Sequence, residues 1–224
     1  CAVYDLSNAC LGVMSGIIDV ANAIELGQMR AGLVVACETA REINESMIAS
    51  MLQTPTMEHF RLAVATLTGG SGAAAVLITD GSFSESGHRL LGGTVRAAPE
   101  HHGLCRWYRD TMSTDAAAVL KHGVALGSRT WKDLVKELGW TAVSVDKTVC
   151  HQVGAPHRAA VLSALGLLAE NDFATYESLG NMGTVSLPIT AAIAAERDFL
   201  RPGHKAAFLG IGSGLNCLML GWQW

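Results

Sequence analysis

Charge is scarce in this chain, and long apolar runs are missing. Only 16% of the 224 residues are Asp, Glu, Lys or Arg, and the formal net charge is −4. Together with a pI of about 6.0, this excludes an extended nucleic-acid surface, which needs clustered positive charge. No apolar run reaches about 18 residues, so no membrane span is expected. No basic stretch precedes the first apolar residues, so no secretory leader is expected at this start. Cysteine pairs are also missing. The six cysteines, at positions 1, 10, 37, 105, 150 and 217, form no C-x-x-C. Several lie in strand-like runs, as reduced, buried thiols of a cytoplasmic protein do. His101, His102 and Cys105 have no second pair at ligand spacing, so no metal site is expected there, and no cofactor is called for. The glycine phrases exclude two further classes. "GIGSGL" places Leu215 where a dinucleotide fingerprint needs its last glycine, and neither "GGSGA" nor "GSGLN" is a G-x-S-x-G elbow.

Half of the residues are hydrophobic and 24 are glycine, the composition of a well-buried α/β protein with one large or two small domains. "AVYDL" at 2–6 predicts a short buried strand. From Leu11 the period changes: Leu11, Met14, Ile17, Ile18, Ala21 and Ile24 mark one face of a helix, with Ser7 and Asn8 as boundary residues. Cys10 therefore falls at the first turn of a helix. The unpaired N–H groups and the dipole there are expected to lower its pKa and favour a nucleophilic thiolate. An isolated cysteine is more often a small buried hydrophobe, so position alone does not make it catalytic.

An internal repeat adds to the case. After Cys10 come a helix, the strand "AGLVVACE" and the phrase "GGSGAAAVLITD". After Asn181 come a helix, the strand "KAAFLGIG" and the phrase "GSGLNCLMLGW". A duplicated α/β unit with helices on buried sheets follows. Between the repeats, residues 80–115 read as an insertion of loops with one strand, Leu90–Arg96. Residues 114–138 read as one long amphipathic helix or two. His151 ends the strand "AVSVDKTVCHQ", where α/β folds place site residues, although a lone histidine there is often structural. Asn181 stands at a loop-to-helix junction like that of Cys10, with an ordinary N-cap as the plain alternative. A pseudo-twofold between the halves would bring Cys10 and Asn181 into one pocket.

In order, "SNACLG", "CHQVG", "GNMGTVSLP" and "GIGSGL" resemble the thiolase superfamily in its β-ketoacyl synthase III branch, and the resemblance covers essentially the whole chain. It implies the five-layer αβαβα fold of two similar halves. Residues 1–115 would be the remainder of the first half, its N-terminal part missing, and residues 116–224 the second. It also implies a Cys10–His151–Asn181 triad and an oxyanion hole from the backbone N–H groups of Cys10 and Ser213. Two departures, "HQVG" in place of "HQAN" and the 141-residue step from Cys10 to His151, look more like the branch that joins two acyl-CoAs head to head in bacterial long-chain olefin synthesis. The implied activity is non-decarboxylative Claisen condensation of two fatty acyl-CoAs to a β-keto product. The implied partners are fatty acyl-CoA substrates, a second subunit in a homodimer and a preceding segment of the same protein; the α-proton base is expected in that segment or in another subunit. The alternatives are decarboxylative extension with malonyl-acyl carrier protein and a non-catalytic partner subunit. Glu38 and Glu42 read as surface carboxylates.

Overall fold

The computed structural model describes residues 1–83, 86–108 and 111–224; Ser84, Glu85, Arg109 and Asp110, within the expected insertion, lie outside the described residues. The elements of the first part are α1 (Gly12–Glu25), β1 (Ala31–Glu38), α2 (Arg41–Gln53), α3 (Met57–Leu67) and β2 (Gly72–Thr79). Then come β3 (Arg89–Ala97), the hairpin β4 (Cys105–Tyr108) and β5 (Thr111–Thr114), and α4 (Ala116–Glu137). The last part holds β6 (Lys147–Cys150), α5 (Ala155–Leu165), β7 (Asp172–Phe173), α6 (Tyr176–Leu179), α7 (Ser186–Glu196), β8 (Lys205–Gly212) and β9 (Asn216–Gln223).

The strands make two main sheets. β1 and β2 pair antiparallel, from Ala31 opposite Thr79 to Glu38 opposite Gly72. The larger sheet has the order β3-β9-β8-β6-β7, with β6 parallel to both β7 and β8. α1 and α7 form a helical layer between the sheets, and α4 and α5 cover the far face of the larger one. Alternation along β8 feeds both cores. Ala206 and Phe208 face Leu11, Met14 and Leu187, whereas Ala207 and Leu209 face Leu126, Leu134 and Leu162. Strands buried on both faces read as continuous apolar runs, as "KAAFLGIG" does. No helix among the described residues is long and apolar enough to cross a membrane.

The repeat is visible in three dimensions, since both β1–β2 and β8–β9 are antiparallel pairs preceded by a helix that opens in a 3-10 turn. One expectation changes. Ala2–Leu6 forms no strand, and Val3 is 90% exposed: none of the described strands pairs with this segment, and a strand needs a partner for its backbone hydrogen bonds. Leu90–Arg96 lies within β3, which is the edge strand of the larger sheet on β9. The four-residue hairpin of β4 and β5 was not foreseen.

Candidate active site

Cys10 lies in the 3-10 turn Ala9–Leu11 that runs into α1. Ala9 is left-handed at φ 44°, a conformation that costs a non-glycine residue about 1–3 kcal/mol and recurs at functional sites. The turn can sit on β8 because two positions there lack side chains. A Cβ at Gly210 would stand 2.6 Å from both Leu11 Cδ2 and Met14 Sδ, and one at Gly212 would stand 3.1 Å from Leu11 Cγ. Polar ties hold it in place. Asn8 donates to Ser15 Oγ at 2.9 Å and accepts from Asn216 Nδ2 at 3.1 Å. Val13 N–H donates to Thr184 Oγ1 at 2.7 Å, joining α1 to the 3-10 turn Gly183–Val185 before α7.

His151 follows β6, and its N–H extends the ladder to Leu209 O at 2.9 Å. Asp172 steadies that strand end, accepting from Thr148 Oγ1 (2.9 Å), Cys150 N–H (3.2 Å) and Arg158 Nε (2.6 Å). Asn181 is strapped to the chain before β2, its N–H donating to Thr68 O (2.9 Å) and its carbonyl accepting from Gly70 N–H (2.8 Å). Asn181 Oδ1 accepts from Gly183 N–H at 3.0 Å, which leaves Nδ2 as the donor. The repeat is offset here: Asn181 precedes the 3-10 turn Gly183–Val185 by two residues, and Thr184, not Asn181, occupies the place equivalent to Cys10.

All four sequence-derived residues, Cys10, His151, Asn181 and Ser213, line one cavity of about 570 Å³. Its walls also bring in residues that the sequence did not assign to the site. Glu38 was read as solvated, yet it lines the cavity, and its Oε1 accepts from Thr184 N–H at 3.3 Å. His157 is 8% exposed, and its Nδ1 has no hydrogen-bond partner among the described residues. Its place at the first turn of α5, six residues after His151, was the available signal. Cys105 and Met112 arrive from the β4–β5 hairpin.

The electrostatics reverse one expectation. Cys10 is pushed up to about 12, first by burial, then by Cys105 and Glu38, against the lowering effect of a backbone N–H. Removal from water outweighs the helix start. Burial, helped by His157, holds His151 down at about 3, so its ring is neutral; its Nδ1 has no hydrogen-bond partner among the described residues. Among the described residues no group of three or more His, Cys, Asp or Glu could hold a metal ion. His101 lies against His122 with tilted rings, centroids 3.8 Å apart, His102 Nδ1 lies 3.1 Å from Pro99 O, and Cys105 Sγ lies 3.4 Å from Thr114 Oγ1.

Comparison with known proteins identifies the family of the chain. The family described as 3-Oxoacyl-[acyl-carrier-protein (ACP)] synthase III C terminal matches residues 135–224. An acyl-CoA:acyl-CoA alkyltransferase of Shewanella oneidensis is 55% identical, over 100% of this chain and 67% of its own length. That of Xanthomonas campestris is 36% identical with the same coverage. A crystal structure of a cysteine-to-serine variant of Xanthomonas campestris OleA, with bound lauric acid and lauroyl-CoA, matches with a TM-score of 0.94 at 35% identity, covering 100% of this chain and 67% of that one. The chain thus spans about two thirds of the length of these relatives. With 55% identity along its whole length, the chain belongs to the acyl-CoA:acyl-CoA alkyltransferase family, thiolase-fold acyltransferases of the β-ketoacyl synthase III type.

Proposed function

We propose that this protein condenses two fatty acyl-CoAs, without decarboxylation, to a β-keto product that feeds long-chain olefin synthesis. The observation that carries this is a cysteine, a neutral histidine and a fixed asparagine amide on one cavity large enough for an acyl chain. The printed names of the relatives and the lauroyl-CoA bound to one of them support the same substrate class.

In the first step Cys10 Sγ attacks the thioester carbonyl, the bond from that carbon to the CoA sulfur breaks, and the thiol proton leaves with CoA–SH. The N–H groups of Cys10 and Ser213 stabilise the tetrahedral oxyanion. In the second step the α-carbon of another acyl-CoA loses a proton, and its thioester oxygen takes on enolate charge. His151 and Asn181 Nδ2 donate hydrogen bonds to that oxygen, for which a neutral imidazole suffices. The α-carbon then bonds to the Cys10-linked acyl carbon, and Cys10 is released. The α-proton acceptor is a carboxylate of a companion segment or second subunit. A homodimer in the cytoplasm, completed by a segment outside β1 and β2, is part of this proposal, as is the division into two halves. The exposed apolar face of β1 supports it.

The test is to mix the full-length protein with acyl-CoA alone. An adduct on the Cys10 peptide and a β-keto product without any malonyl donor are expected. Labelling at Cys37 or Cys150 instead sinks the nucleophile assignment. Product formation only with malonyl-acyl carrier protein favours decarboxylative synthase III chemistry, for which the matched family supplies the precedent.

A further inference from the structure

Two cavities share one side chain. Ile43 of α2, Thr66 of α3 and Met112 of β5 bound one side of the cavity that holds Cys10. A second cavity, of about 150 Å³, lies against Met47 and Ser50 of α2 and His59 and Ala63 of α3, and Met112 bounds it too. The residues advance in step. Ile43, Met47 and Ser50 succeed one another at one-turn intervals along α2, while Thr66, Ala63 and His59 do so in reverse along α3. At 1.5 Å per residue, the small cavity continues the large one for about 10 Å toward the tip of the helical hairpin. Met112 stands where they meet.

The continuation suits an apolar occupant. Met47 and Ala63 are buried, at 2% and 1% exposure. The polar groups at the far end satisfy each other, with Ser50 Oγ and His59 Nε2 at 3.1 Å. Methionine is unbranched and adaptable, a filler that can yield to a ligand.

We infer that Met112 sets the length of acyl chain the enzyme accepts, with the second cavity taking the methyl end of chains too long for the first. The inference rests on the acyl-CoA reading of the site. Burying one methylene stabilises by about 0.8 kcal/mol, about fourfold in affinity, so opening or closing a short tunnel moves a length profile steeply.

The full-length protein is offered an equimolar ladder of saturated acyl-CoAs, short to long, and the Cys10 adducts are resolved by mass. Met112→Ala should move the cut-off to longer chains, by about fourfold in relative yield for each extra methylene admitted. Met112→Trp should move it to shorter ones. Ala63→Leu, added to Met112→Ala, refills the small cavity and should restore the original profile. Unchanged profiles in both single variants overturn the assignment, as does a uniform loss at every length in Met112→Trp. Absence of any adduct on the wild type would instead refute the nucleophile. Native mass spectrometry of free fatty acids held non-covalently by the same proteins then decides the matter: a length shift supports the role of Met112, and its absence overturns it.

Discussion

A thiol with a pKa near 12 is a thiolate in only about one molecule in 10⁴ to 10⁵ at neutral pH. Cys10 must therefore lose its proton as it attacks. The alkylation rate follows the thiolate fraction, so with iodoacetamide Cys10 should react about tenfold faster per pH unit up to pH 10 without levelling, whereas a thiol of ordinary pKa, about 8.5, saturates first. A plateau below pH 9 would contradict the buried thiol. His151 gives the complementary prediction. His151→Ala should leave acylation of Cys10 largely intact and slow condensation about a hundredfold or more, the range for loss of a transition-state donor. Because its pKa is held down at about 3, the wild-type condensation profile should show no inflection near 6.5. Normal condensation by the alanine variant would make His151 structural. Cys10, His151 and Asn181 could be marked in the sequence because they lie in the motifs that carry the family resemblance, and the structure brings them to one cavity. Glu38 was not, because its partner Thr184 lies 146 residues away, a distance that local pattern cannot bridge.

Elements place these groups through glycines as well as through side-chain contacts. A Cβ on Gly70 would stand 1.9 Å from Leu179 O, so Gly70→Ala must push apart the strap that fixes Asn181. About 1–3 kcal/mol of destabilisation is expected, as for other overpacked positions. Condensation should fall at least tenfold more than acylation, because Asn181 serves only the second step. Thermal unfolding and the two half-reactions measure both effects, and an equal loss in each would remove Asn181 from the condensing role. Regular elements were the legible part of the fold. β1, β8, α1 and α4 follow directly from runs and periods. Ala2–Leu6 looked like a strand from composition alone, but strand formation needs a pairing partner, which no local pattern supplies. β4 and β5 are too short, at four residues each, to stand out by alternation.

The whole molecule stacks a two-stranded sheet, two central helices, a five-stranded sheet and outer helices, and leaves one sheet face open. On β1, Leu33 and Val35 are 61% and 66% exposed, and on β2 Leu77, opposite Leu33, is 62% exposed. Val34, Ala36, Val76 and Ile78 point the other way, into the core. Such strands carry apolar residues on both faces, the pattern of a sheet covered on both sides. The repeat sharpens the contrast, because the equivalent pair β8–β9 is buried on both faces. A contiguous apolar face on a soluble protein marks an interaction surface. Residues 1–224 expressed alone should therefore bind a hydrophobic dye, self-associate and lack condensing activity. Val35→Lys with Leu77→Lys should reduce dye binding and association without restoring activity. In the full-length enzyme the β1 and β2 amides should resist hydrogen exchange as strongly as those of β8. A monomeric, dye-silent and active product from residues 1–224 would show that this face needs no cover, and would remove the structural ground for a fifth layer.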